Sequence, residues 1–201
     1  SSPNRYVEYY DRLGYVPEGV FPPGNHRESA ALTLYFAYED WCLSQFAKSL
    51  GREDIFKRYY NRSFNYRNLF DSSVGWIRPK LENGEWYHNF TPIEKGFNAK
   101  GFVEGNSAIF TYYVPHNLPD LIELVGGREA FLKKLSEQFE RASLNRWITE
   151  HGKHAESWVD YENQPSLHMA HLFSHAGAPW LTQYWVRKIK KEVFGDISPY
   201  G

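Results

Sequence analysis

The sequence has a single cysteine, Cys42, among its 201 residues. That excludes an internal disulfide and removes cysteine-rich metal centres from consideration. No stretch approaches the ~18 uninterrupted apolar residues of a membrane-spanning helix, and the opening Ser-Ser-Pro-Asn-Arg carries no apolar signal region. An excess of one charge is missing too: the formal net charge is -1, which leaves no electrostatic footprint for nucleic acid or an anionic membrane surface. No fixed period recurs, so a solenoid scaffold is not expected. A neutral partner is what these absences leave.

What the chain does have is rings. Aromatics make up 18% of its residues, with 7 Trp and 15 Tyr. Rings with a polar handle suit wet, partly apolar surfaces such as sugar faces, although helical cores use them as well. The hydrophobic share of 42% supplies a sizeable core, and the length fits one or two domains by the prior of about 100–200 residues each. Beside Trp41 in an apolar run, Cys42 is expected to be a buried, inert thiol. The sequons at Asn61 and Asn89 are short enough to arise by chance and carry no conclusion.

Apolar spacing predicts helices over 4–13, 27–50, 54–70, 118–125, 129–142, 165–175 and 179–194, with a further apolar helical run before Pro115. The second and third form an antiparallel hairpin closed at Gly51. Residues 71–100 read as loops and short extended pieces, with Asn83-Gly84 as a two-residue hairpin signal, and 143–157 are polar without a clear pattern. The fold class is all-α with a minor β-hairpin.

Four groups of residues could carry chemistry. Arg187-Lys188-Ile189-Lys190-Lys191 could bind phosphate, but cations in the last turns of a helix are what its dipole favours. His168, His171 and His175 share a helix face at i, i+3 and i+7, yet no carboxylate at helical spacing completes a zinc site, and core hydrogen bonding explains them as well. The run Trp158 to His168 sets Asp160, Glu162, Asn163 and Gln164 before a helix opened by Pro165; such oxygens suit calcium or sugar hydroxyls, and equally a helix-capping loop. In Gly101 to Pro115, Glu104 stands between Val103 and Gly105 at the mouth of an apolar helix. A carboxyl there could stay protonated as a general acid, or serve the helix dipole.

Together, Phe102-Val103-Glu104-Gly105-Asn106 and the later Asn163-Gln164-Pro165 turn with its trailing His168 resemble the glycoside hydrolases of family 92, the calcium-dependent exo-acting α-mannosidases. Other blocks are similar in the same order: Gly14-Tyr15-Val16-Pro17, Ala37 to Cys42, Ala47 to Gly51, Asn65 to Asp71, Tyr113 to His116, Gly126 to Phe131 and Ala176 to Trp180.

The resemblance implies that residues 1–201 form one partial (α/α)6-barrel catalytic domain of antiparallel hairpins, without the family's N-terminal β-sandwich and the C-terminal part of the barrel. It implies inverting removal of terminal α-linked mannose from glycans, with Glu104 as general acid and the general base missing from the chain. Trp158, Tyr161, Glu162 and His168 become substrate contacts. Asn163 and Gln164 become contacts of a calcium ion, Ca2+, of low occupancy in this chain. A secreted or cell-envelope location follows by the same resemblance. The partners implied are a mannose-containing glycan and the remainder of the enzyme, not nucleic acid or membrane, with self-association through exposed apolar surface. The chain departs from the family at Phe102, Tyr161 and Gln164, which bears on linkage specificity. The alternatives are an (α/α)6 hydrolase of another glycoside, trehalase-like or glucoamylase-like, and a non-catalytic carbohydrate-binding helical module.

Overall fold

The computed structural model describes residues 4–21, 28–94, 100–144, 147, 157–161 and 163–194. Helix α1 (Asn4–Leu13) leads to α2 (Ser29–Ser49), which packs antiparallel to α3 (Glu53–Arg62). The buried stripe of α2 is made mostly of small side chains, Ser29, Ala30, Ala31, Thr33, Leu34, Ala37, Asp40, Ser44 and Ala47. Small side chains let other segments approach closely, and its larger rings lie outside this stripe. Gly51 just past the helix end takes φ 68, and Arg52 N donates back to Ala47 O at 2.9 Å, so the hairpin turns where the glycine signal expects it.

The expected helix over 54–70 ends early, at Arg62. Ser63 turns its hydroxyl onto Tyr60 O at 2.7 Å, and a 3-10 helix, Asn65–Leu69, follows. Tertiary bonds decide this. Asn68 donates to Gly14 O at 3.0 Å, and Tyr66 and Arg67 both bond Asp120 of α5 (Leu118–Leu124). Strands β1 (Phe70–Asp71) and β2 (Trp76–Ile77) then pair antiparallel, Phe70 opposite Ile77. Asp71 organises their turn by accepting from Ser73 N and Ser73 Oγ. The hairpin thus sits before Asn83-Gly84, whose own turn closes one bridge, Lys80 with Trp86.

Helix α4 is a buried four-residue turn, Ser107–Phe110, shorter than the apolar run suggests. Helix α6 (Arg128–Leu144) buries Phe131, Leu135, Gln138, Phe139 and Ala142. Phe139 meets the rings of Trp147, Phe173 and Trp185 at 5.3–5.6 Å, which makes the aromatic centre of this half. The expected helix over 165–175 is broken into two 3-10 turns, Gln164–Ser166 and Met169–His171, and the short α7 (Leu172–His175). The physical reason is that Ser166 and His168 are turned to bond other segments. Helix α8 (Pro179–Glu192) buries Trp185 and Ile189 and leaves Trp180 61% exposed. Apolar surface also lies open at Phe46, Leu50, Leu144, Tyr184 and Phe194. Cys42 is exposed, against the expectation of a buried thiol, because it lies on the face of α2 opposite the buried stripe.

Candidate active site

Four segments meet around Glu104. The approach is fixed by Gly101, at φ 84, whose carbonyl accepts from Ala31 N at 2.9 Å at the start of α2. A Cβ on Gly101 would lie 2.5 Å from Pro79 Cγ, so no other residue fits there. Phe102 is buried against Phe110, ring centroids 5.5 Å apart. Glu104 itself is exposed and takes φ 53, a left-handed conformation that a non-glycine residue adopts at a cost of about 1–2 kcal/mol. Gly105 follows, and a Cβ there would be 2.8 Å from Phe110 Cε2.

The helix-dipole role considered for Glu104 belongs instead to Asn106. Its side chain accepts from Ile109 N at 3.2 Å and caps α4, while its amide donates to Ser157 O at 2.8 Å. Ser107 Oγ donates to Ile77 O, and Thr111 Oγ1 accepts from Ile77 N at 2.9 Å, which binds α4 to β2.

The 157–168 segment is tied to the same turn. Asp160 N donates to Ser166 Oγ at 3.0 Å, and Asn163 is committed at both ends of its amide: Oδ1 accepts from Gln164 N at 2.9 Å and Nδ2 donates to Glu104 O at 2.8 Å. Gln164 is exposed, and Glu162 lies outside the described residues. His168 Nε2 bonds Tyr112 O at 3.1 Å, and burial pushes its pKa down against that bond, so it is a neutral donor. Its direction separates it from His171 and His175, which are exposed, and among the described residues no group of three His, Cys, Asp or Glu could hold a metal.

Trp158 and Tyr161 are placed differently from Asn163. The Arg141 guanidinium lies 4.6 Å from the Trp158 ring centroid and Trp76 packs beside it at 6.1 Å. Tyr161 is buried against Trp147 and faces a cavity of 180 Å³ lined by Leu167, His171, Ile189 and Lys190. Among the described residues its hydroxyl has no hydrogen-bond partner.

Sequence reasoning missed Gln138. Its Nε2 donates to Ala108 O at 3.0 Å and Trp158 O at 3.2 Å, and its Oε1 accepts from Tyr112 OH at 2.5 Å. One buried amide thereby joins α4, α6 and the Trp158 segment. A polar residue three positions after Leu135 in an apolar stripe was the available signal. Tyr35 was also missed as a neighbour of the site. Its pKa is pushed up to about 12 by burial first, then by Glu28, Tyr113 and Glu104, which puts its hydroxyl in the field of the Glu104 carboxylate.

Residues 2–201 match the model of the glycosyl hydrolase family 92 catalytic domain. The chain belongs to glycoside hydrolase family 92. Its helices form part of the (α/α) barrel of that family. Among solved family 92 structures, an inverting mannosidase from Bacteroides thetaiotaomicron is 35% identical with a TM-score of 0.77, covering 94% of this chain and 26% of that one. An α-mannosidase of the same organism, in complex with mannoimidazole, is 29% identical with a TM-score of 0.78, covering 93% of this chain and 25% of that one. An uncharacterized secreted glycosidase from Arthroderma benhamiae is 26% identical over 193 residues, 85% of this chain and 23% of the relative. The family 92 chain described here thus spans about a quarter of the length of these relatives.

Proposed function

We propose that this chain carries the proton-donating part of an inverting α-mannosidase that removes terminal α-linked mannose from glycans. The observation behind the reading is Glu104: an exposed carboxyl on a strained, left-handed residue whose carbonyl is fixed by Asn163. Strain of that kind persists where the surroundings over-determine it, and such positions cluster at active sites.

In the proposed reaction the Glu104 carboxyl gives its proton to the glycosidic oxygen as the bond to the anomeric carbon breaks. Water attacks that carbon from the opposite face and loses its proton to a second carboxylate, at the 6.5–9.5 Å separation of inverting enzymes. This reading puts that base outside residues 1–201. The chain alone is then expected to hydrolyse no mannoside. His168, neutral and donating to Tyr112 O, holds its segment in place without moving a proton itself.

Calcium is proposed at the Asn163-Gln164 turn, which fits the ion in kind but not in number. Asn163 Oδ1 keeps a second lone pair after accepting from Gln164 N, and the Gln164 amide is open to solvent. Both are hard, neutral oxygens, while a full site takes six to eight. When bound, calcium would supply a point of coordination for sugar hydroxyls, and no step above depends on it. A location outside the cytoplasm is proposed for the whole protein. Among the described residues no helix is long and apolar enough to cross a membrane.

The test is leaving-group dependence in a polypeptide long enough to turn over mannosides. Glu104→Gln should cost about 10²–10⁴-fold on natural mannosides, the usual worth of general acid catalysis, and much less on nitrophenyl mannoside, whose leaving group needs little protonation. Equal losses on both would remove Glu104 from the proton-donor role.

A further inference from the structure

Beside its buried stripe, α2 carries a row of rings whose inner end, Tyr35, packs against the core together with Tyr113. Tyr35, Tyr38 and Trp41 follow one another three residues apart, and Tyr113 and His116 come up beside them from the segment after α4. Tyr35 meets Tyr113 edge-on with centroids 5.3 Å apart, and Tyr113 meets Tyr38 edge-on at 6.5 Å. Tyr38 lies nearly parallel to Trp41 at 6.1 Å, and His116 touches both, at 5.9 and 6.2 Å. All five are half-buried.

A satellite of the hydrophobic core is the plain alternative. Two observations weigh against it. Tyr35 and Tyr113 pack against the core cluster, but Tyr38, Trp41 and His116 are not part of it. Cys42, next to Trp41 and one helical turn from Tyr38, is exposed, so this side of the helix faces solvent.

The row is continuous with the candidate active site. Phe110 lies under Gly105 and 6.2 Å from Tyr35, whose hydroxyl feels the Glu104 charge. From Tyr35 to Trp41 the helix rises about 9 Å at ~1.5 Å per residue. A single sugar held at Glu104 would leave Trp41 untouched.

We propose that Tyr38, Trp41 and Tyr113 form a docking terrace for the glycan beyond the bond that is cleaved. The apolar faces of its sugar rings lie on the aromatic rings, and its hydroxyls meet the phenols. The terrace makes the site selective for oligosaccharides over simple mannosides. Its position rests on Glu104 as the reacting carboxyl, but its occupancy does not.

Cys42, as the sole thiol, reports on the terrace in the 201-residue chain without any substitution. Alkylation by N-ethylmaleimide is followed with mannose, mannotriose or maltotriose added. Mannotriose should slow the reaction saturably by several-fold, and mannose should not. Trp41→Ala should weaken the protecting affinity about 2- to 10-fold, the worth of one ring contact, with Trp180→Ala, at an exposed position on α8, as the unaffected control. If Trp41→Ala fails to fold, the comparison of sugars on the unmodified chain still decides. No protection by either trisaccharide, or equal protection by mannose, overturns the terrace. Protection by maltotriose alone keeps the terrace and instead counts against the mannosidase reading, whereas failure of the Glu104→Gln test leaves the alkylation result standing.

Discussion

Across 59 residues of sequence, the side-chain amide of Asn163 donates to the main-chain carbonyl of Glu104 at 2.8 Å. The same amide caps the 3-10 turn that Pro165 opens. The two loops that bear the family resemblance are therefore one unit, and the orientation of the Glu104 peptide depends on a residue that never touches its carboxyl.

Asn163→Ala removes that donor and the acceptor of Gln164 N together. Losing a cap and a part-buried hydrogen bond should cost about 1–2 kcal/mol, read as a lower urea midpoint with an unchanged slope. Asn163→Asp should cost more, because a carboxylate oxygen then faces the Glu104 carbonyl. A midpoint unmoved in both variants would mean that the bond does not hold the turn.

Strain at Glu104 predicts a gain in stability when the side chain is removed. The left-handed conformation costs a non-glycine residue about 1–2 kcal/mol, and glycine returns about 0.5–1 of this through its freer unfolded chain. Glu104→Gly should thus stabilise the fold by about 0.5–1 kcal/mol, while Glu104→Gln changes it little. A less stable glycine variant would show that the carboxyl is a structural group.

Much of this was legible beforehand, and the reasons for the rest are specific. Helices α1, α2, α6 and α8 announce themselves by spacing, Gly51 and Pro179, signals that lie within the element itself. The break after Arg62 does not, since it is decided by Asn68 reaching Gly14 and by Tyr66 and Arg67 reaching Asp120, partners far away in sequence. At the site, Glu104 and Asn163 were picked from local pattern and meet in space. Tyr161 shares that pattern but its ring turns into the core beside Trp147, a neighbour that the polar 143–157 stretch gave no reason to expect. Which way a side chain leaves a loop is set by packing, and pattern carries no such direction.

Gly105 should tolerate no side chain. A Cβ would come within 2.8 Å of a ring carbon of Phe110, itself buried between Phe102 and Tyr35. Gly105→Ala should destabilise by about 1–3 kcal/mol, the usual cost of overpacking, in thermal or urea unfolding. The double variant Gly105→Ala with Phe110→Leu should recover part of the loss.

Mild acid should weaken the fold through two histidines. Burial holds the pKa of His116 and His168 below the ordinary 6.5, each against a main-chain hydrogen bond. Above that value both states are neutral and nothing changes; as pH falls below about 6.5 the unfolded chain takes up protons that the folded one resists, and stability drops. Melting temperature should decline from there toward pH 5, and replacing both histidines by glutamine should flatten that segment. A second decline should come at lower pH from Asp120. Burial raises its pKa, but the hydrogen bonds from Arg67 and Tyr66 outweigh this and hold it below the usual range.

The phenol of Tyr10 reaches both Asp40 Oδ2, at 3.0 Å, and Arg62 O, at 3.2 Å, while Arg62 bonds Asp40 and Asp11 and lies over the Tyr10 ring. Helix α1 is thereby knotted to the end of α3 and the middle of α2 through one shared set of polar atoms. In hydrogen exchange, the later turns of α1 would not fray amide by amide as a surface helix does. They would open only together with the α2–α3 hairpin, as a single cooperative block with one common protection factor.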